Sequence, residues 1–220
     1  MNRLAFAFAL PLALAGNTLL LCAPAIAIEG SALLVEPGVL LLLLLSHLLI
    51  VVESTATNSS GTTRRPSMRR DDVTARRLAL ASGAMLVAVF WAALIGRQPG
   101  STALTCCGAF CFTGGILLRL AAARRLGRFF RTEVTITDQR FVCTGIYRHL
   151  RHPSETGLLL VGLGAGILLA SPPAVVVWAL ALVPLTLLRI GLEERCLYGA
   201  FGAAYREYAR SCRRLVPWVF

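Results

Sequence analysis

An all-α, multi-pass transmembrane helical bundle with a C-terminal helical hairpin and a cytosol-facing cofactor pocket is the fold class the sequence predicts. Three observations predict it. The chain of 220 residues is 56% hydrophobic and only 15% charged, with a mean hydropathy of +0.70, a balance suited to lipid as the main solvent. Apolar runs approaching the roughly 20 residues that cross hydrocarbon recur along it. All 22 basic residues are arginine and fall mainly between those runs, where cytosolic loops collect positive charge. The net charge of +11 therefore reads as membrane topology and anionic lipid, not nucleic acid.

The first apolar run, 4–28, follows Arg3 and ends in Ala25-Ile26-Ala27. It reads as a span or as a cleavable signal with a small-residue site, and both leave the next segment in the same orientation. The second, 33–52, carries no charge after Glu36; together these form an apolar N-terminal region, 1–52. Residues 53–77 are a polar linker, Ser- and Thr-rich and then basic through Arg64, Arg65, Arg69, Arg70, Arg76 and Arg77. Runs 78–95 and 103–123, turned by Arg97-Gln98-Pro99-Gly100, make a helix pair over 78–123.

The remaining region, 124–220, holds the polar chemistry. Between Arg124 and Glu155 the chain is basic, with one strand-like alternation at Val134-Thr135-Ile136-Thr137. Residues 157–188 are apolar but broken by Ser171-Pro172-Pro173, so two short limbs form a hairpin that draws on its flanks for length. Arg-rich segments 53–77, 124–155 and 189–220 fall on one side, against Glu29, Glu36 and Arg97 on the other. The positive-inside rule puts both ends of the hairpin in the cytosol.

Seven cysteines, Cys22, Cys106, Cys107, Cys111, Cys143, Cys196 and Cys212, lack paired C-x-x-C spacing and read as small hydrophobes. The histidines, His47, His149 and His152, are too scattered for a metal cluster, and no metal is expected. Two clusters remain. Around Gly145-Ile146-Tyr147 and Arg151-His152-Pro153-Ser154-Glu155, Pro153 starts a helix whose free N–H groups receive an anion. At the far end of the hairpin Arg189 and Glu193 stand four apart on one helical face, with Glu194 and Arg195 adjoining. Either cluster alone reads as an interfacial anchor or a surface ion pair worth at most about 1 kcal/mol. A Pro-Pro hairpin brings them together into one wet pocket at the membrane surface.

The ordered series Leu126-Gly127-Arg128, Gly145-Ile146-Tyr147, Arg151-His152-Pro153-Ser154, Gly157, Arg189 with Glu193-Glu194, Phe201-Gly202, Tyr205, Tyr208 and Leu215-Val216-Pro217 resembles the isoprenylcysteine carboxyl methyltransferase family. The likeness runs from Leu126 to the C-terminus; the first 120 residues share only membrane spans with it. It implies bound S-adenosylmethionine, contacted by Gln139, Arg140, Phe141 and Val142, by Tyr147, by His152, Pro153, Ser154 and Glu155, and by Glu193. It also implies that Arg189 is the catalytic arginine that holds the substrate carboxylate. The 139–142 assignment rests on distance from Tyr147. Glu155 stands where the family usually has Tyr, so a carboxylate there meets a cofactor hydroxyl, meets the sulfonium, or alters the site.

The implied acceptor is a lipophilic carboxylate, prenylcysteine-like or another lipid acid. It is already a nucleophile at neutral pH, so no strong base or catalytic triad is needed. The expected setting is an integral multi-pass protein of the endoplasmic reticulum in a eukaryote or the inner membrane in a bacterium. Rival readings are an NADPH-dependent sterol or enone reductase, a phospholipid N-methyltransferase, and a non-catalytic membrane scaffold; the Arg189 and Glu193-Glu194 set favours carboxyl methyl transfer.

Overall fold

The computed structural model describes residues 3–59, 70–126 and 142–215, all helices, turns and short connections. Helix α1 (Arg3–Glu29) ends at Gly30, whose φ of +83° lets the chain leave the helix. A short 3-10 turn, Ser31–Val35, leads to α2 (Pro37–Ser59), which has proline at its first position. Helices α3 (Arg70–Ile95) and α4 (Thr102–Leu126) follow. A 3-10 turn, Gly145–Arg148, precedes α5 (Pro153–Leu168). Then α6 (Pro172–Val177) runs through a π turn, Trp178–Leu182, into α7 (Val183–Ser211).

Five segments are long and apolar enough to cross a membrane: Ala9–Ile28, Pro37–Thr55, Arg76–Ile95, Thr102–Leu126 and Pro172–Ser211. Helix α5 is apolar but shorter. The protein is a multi-pass membrane helical bundle. Its hairpin forms as expected at Ser171, whose hydroxyl accepts from the Ala174 N–H and donates to the Ala92 carbonyl at 2.8 Å. The second limb does not stop at one bilayer's depth, because α6, the π turn and α7 form one 40-residue apolar-to-polar helix, broken in backbone conformation only at Gly202 (φ +52°).

The linker expected over 53–77 is narrower than its composition suggests, since α2 continues to Ser59 and α3 already begins at Arg70. Once an apolar span has nucleated a helix, each added polar residue only extends it, which is far easier than starting one. The second span likewise starts at Pro37 and not at Leu33. The strand-like stretch at Val134-Thr135-Ile136-Thr137 lies outside the described residues.

In lipid, helices associate through close packing and interhelical hydrogen bonds, not through a hydrophobic driving force. The tightest approach is α4 against α5. A Cβ at Gly115 would lie 2.6 Å from the Gly157 carbonyl oxygen, and one at Gly157 would lie 2.6 Å from that of Gly115. Phe112 fills the adjoining core beside Phe90, ring centroids 5.7 Å apart, with Val39, Leu42, Val89, Val161 and Leu182. Polar side chains between the helices find partners across them: Asn17 donates to Ser46 at 3.0 Å, and Trp178 Nε1 to the Leu159 carbonyl at 2.8 Å.

The bundle has two chemically distinct ends. At one, Arg97 clamps Glu36 through two hydrogen bonds of 2.8 and 2.9 Å, and the Gln98 N–H reaches the Leu169 carbonyl beside the hairpin turn. Arg97's hydrogen bonds hold the Glu36 carboxyl below its usual range. At the other end Arg119 pairs with Glu53 of α2 and donates to the Ser154 carbonyl at 2.9 Å, tying α2, α4 and the start of α5 together.

Candidate active site

The start of α5 is built by its own sequence. Gly145 takes φ +66°, where an L side chain would be strained, and turns the chain into the 3-10 segment that buries Tyr147. His152 is the residue before the helix and Pro153 its first position. The C-terminal tail then lies alongside. The Arg151 N–H donates to the Arg213 carbonyl at 2.7 Å and the His152 N–H to that of Arg214 at 3.1 Å. Thr156 Oγ1 donates to the Leu215 carbonyl at 2.9 Å, and the Tyr208 hydroxyl to the Tyr147 carbonyl at 2.7 Å.

Helix α7 faces this cradle. At about 1.5 Å per residue, Arg189 and Glu193 stand about 25 and 30 Å along the helix from Pro172. That is about the thickness of the hydrocarbon core, so both reach the far interface of a span that starts at the hairpin turn. His152 Nδ1 lies 3.5 Å from Glu193 Oε2 and its Nε2 3.4 Å from Glu194 Oε1. Burial opposes a charged imidazole, but contact with the two carboxylates outweighs it and raises the His152 pKa to about 9. Burial above all, reinforced by the charge of Glu193, raises the pKa of the Tyr147 phenol, so it stays neutral at physiological pH.

Glu194, which the sequence offered only as a neighbour of Glu193, is the buried hub. Its Oε1 accepts from Arg151 Nη1 at 2.7 Å and its Oε2 from Arg214 Nη2 at 2.6 Å, with its side chain 3% exposed. Glu193 beside it keeps 34% of its side chain exposed. On the same wall Arg189 Nη1 lies 3.3 Å from Glu155 Oε1, and both groups are largely buried. The other carboxylate oxygen, Glu155 Oε2, is buried without a hydrogen-bond partner.

Tyr147, His152, Pro153, Ser154, Glu155, Arg189 and Glu193 thus fall in one cluster at one end of the bundle. Val142 is half-buried at the start of its stretch, while Gln139, Arg140 and Phe141 lie outside the described residues. Sequence reasoning missed the part Glu194 plays as partner of Arg151 and Arg214, and the Arg119–Glu53 pair. Arg119 had a signal, because an ionisable side chain inside an apolar run marks a buried partner or a site.

Residues 107–199, which span both halves of this cluster, match the family described as the isoprenylcysteine carboxyl methyltransferase (ICMT) family. This region is similar to the isoprenylcysteine carboxyl methyltransferase family. Protein-S-isoprenylcysteine O-methyltransferase A of Arabidopsis thaliana is 35% identical over 108 residues, 48% of this chain and 55% of that protein. The protein-S-isoprenylcysteine O-methyltransferase of Schizosaccharomyces pombe is 31% identical over 108 residues, 48% of this chain and 46% of its own length. The chain spans about half the length of the curated relatives it matches. A solved structure of the eukaryotic intramembrane Ras methyltransferase ICMT, without a monobody, has the same fold. It superposes with a TM-score of 0.59 at 19% identity, over 100% of this chain and 88% of that one. The family likeness rests on the matched region and the sequence relatives; the solved structure extends the fold likeness to α1–α3.

Proposed function

We propose that this protein is an S-adenosylmethionine-dependent carboxyl O-methyltransferase acting on a lipophilic, isoprenylcysteine-type acid at the cytosolic face of a membrane. The observation that carries the reading is the meeting of His152, Glu193, Glu155 and Arg189 where a membrane hairpin ends, inside the matched family region.

The residues present suit the cofactor. Glu193 is a partly exposed carboxylate that accepts an ammonium group, and the start of α5 directs helix N–H groups toward an anion. Tyr147 offers a neutral aromatic wall. His152, Pro153, Ser154 and Glu155 line the same edge, and the segment 139–142 completes the set by resemblance. When bound, S-adenosylmethionine supplies a methyl group on a cationic sulfur. Arg189 orients the acceptor carboxylate, which needs no proton removed to react. This chain's task is then to hold, align and dehydrate the acceptor. A buried guanidinium does the first two through fork-shaped hydrogen bonds. An apolar acceptor tail enters from the bilayer while its carboxylate meets the polar end of α7.

The cytosolic orientation is supported by the arginines flanking this end of the bundle. The test is titration of the detergent-purified full chain with S-adenosylmethionine and, separately, with NADPH, followed by methyl transfer to farnesylcysteine analogues. The expected result is binding of S-adenosylmethionine and formation of base-labile methyl esters. Binding of NADPH alone would make the protein a reductase, and binding of neither a scaffold.

A further inference from the structure

A second concentration of charge lies outside the site, where α7 leaves the membrane. Its helix breaks at Gly202, whose φ of +52° redirects the residues that follow, and Tyr205 then packs edge-on against Tyr198 with ring centroids 4.8 Å apart. One side of this last stretch turns inward: Tyr205 and Cys212 are buried, and the Tyr208 hydroxyl donates to the Tyr147 carbonyl. Arg206 and Arg210, four apart and turned away from that side, are exposed, as is Arg213 in the tail. The Cys212 thiol donates to the Arg148 carbonyl at 3.0 Å and the Arg213 N–H to that of His149 at 3.3 Å, which brings the exposed Arg148 alongside. From Arg195 to Leu215 the sole acid is Glu207.

The depth of this arginine wall identifies what it meets. The His152 N–H donates to the Arg214 carbonyl, and the His152 ring touches Glu193, which stands at the edge of the hydrocarbon. Whatever its tilt, the helix from Arg206 to Ser211 rises at most about 8 Å, close to the depth of one headgroup layer. Phosphate groups of the surrounding lipid therefore lie level with it. Guanidinium grips phosphate through paired N–H donors, and a wall of four with one acid nearby is complementary to a negatively charged surface. Topology alone needs arginines somewhere in a loop; here a kink and a tail pairing gather them on one wall. We propose that Arg148, Arg206, Arg210 and Arg213 form a site for the headgroup phosphates of anionic phospholipid, which clamps the C-terminal tail onto the start of α5. The proposal requires only that this end of α7 meets the bilayer surface, and it stands apart from the methyl-transfer reading.

The test is lipid retention by the detergent-purified full chain, read by native mass spectrometry after exposure to equal amounts of phosphatidylglycerol and phosphatidylcholine. Wild-type protein should prefer phosphatidylglycerol about tenfold or more, since each arginine near a charged surface is worth about a factor of five. Combining Arg206→Gln, Arg210→Gln and Arg213→Gln should bring the preference within about twofold. Combining Arg76→Gln, Arg77→Gln and Arg124→Gln, which removes the same charge from other exposed positions, should leave it. Phosphatidylglycerol should also raise the thermal midpoint of wild type and not that of the first variant, because a ligand of the folded state stabilises it. Equal retention of the two lipids by wild type would overturn the proposal without any variant. So would equal losses in the two variants, which would make the effect one of net charge. Wild type that binds oligoglutamate while showing no lipid preference would overturn it too, and make the wall a surface for an acidic protein.

Discussion

Two carboxylates lie side by side on α7 and meet opposite surroundings. Glu194 is closed in by Arg151, His152 and Arg214 and is almost wholly buried; Glu193, one residue earlier, touches His152 and keeps a third of its side chain open. Consecutive helical residues point about 100° apart, so the same acidic pair serves two faces. The Glu194 face staples α5, α7 and the C-terminal tail into one unit. The Glu193 face, continued by Arg189 and Glu155, carries the unsatisfied atom and the exposure that a ligand needs. Adjacent acids therefore divide into scaffold and site by partner count and not by residue type.

The largest effect should come from breaking the closed face. Glu194→Ala leaves the buried charge of Arg151 without its carboxylate and should cost about 3–5 kcal/mol. It should appear as a lowered thermal midpoint in detergent and a loss of all binding. A variant of unchanged midpoint would show that Glu194 is not the staple. Next comes Arg189→Ala on the open face, where kcat/KM should fall about a hundredfold or more while labelled S-adenosylmethionine still binds. Unchanged kinetics would remove Arg189 from the acceptor site. Smaller again, Glu193→Gln should weaken S-adenosylmethionine about tenfold, the worth of one charge-assisted hydrogen bond. Its stability should fall by less than about 1 kcal/mol, since the group is partly solvated. Equal destabilisation by the Glu193 and Glu194 variants would erase the contrast between the faces.

Much of this arrangement is legible in the sequence because it follows from covalent constraints. Ser171-Pro172-Pro173 forces a turn, Pro153 starts a helix, and a spacing of four puts Arg189 and Glu193 on one face. Those three facts suffice to bring His152 to Glu193. What was illegible depends on backbone pairing or on partners distant along the chain. The tail that lays Arg213 and Arg214 beside residues 149–152 is held by main-chain hydrogen bonds, which leave no side-chain signature. Glu53 reads as the first residue of a polar linker, yet α2 carries it onward to Arg119. Glu155 stands out as a departure from the family pattern, but its partner shows only once α5 and α7 are packed together.

His152 touches both faces, and pH separates them at the smallest scale. Its pKa is about 9 in the folded protein against 6.5 for the ordinary side chain, so the folded state binds the proton more tightly. The stability this contributes is fully present below about pH 6.5, the unfolded value, and is lost as pH rises through the folded pKa of about 9. The groups facing the ring are Glu193 and Glu194, with Arg151 sharing the latter. Deprotonation therefore leaves two neighbouring carboxylates to repel each other with only the arginines to screen them. The stability read from thermal unfolding in detergent between pH 6.5 and 9.5 should decline most steeply midway between the two pKa values, by about 1 kcal/mol per pH unit, and level off above the folded value of about 9. Because Gln cannot take up the proton, His152→Gln should be less stable at pH 7 and flatter across that range. Parallel profiles for wild type and variant would place the titrating group elsewhere and leave the imidazole a neutral spacer between the two carboxylates.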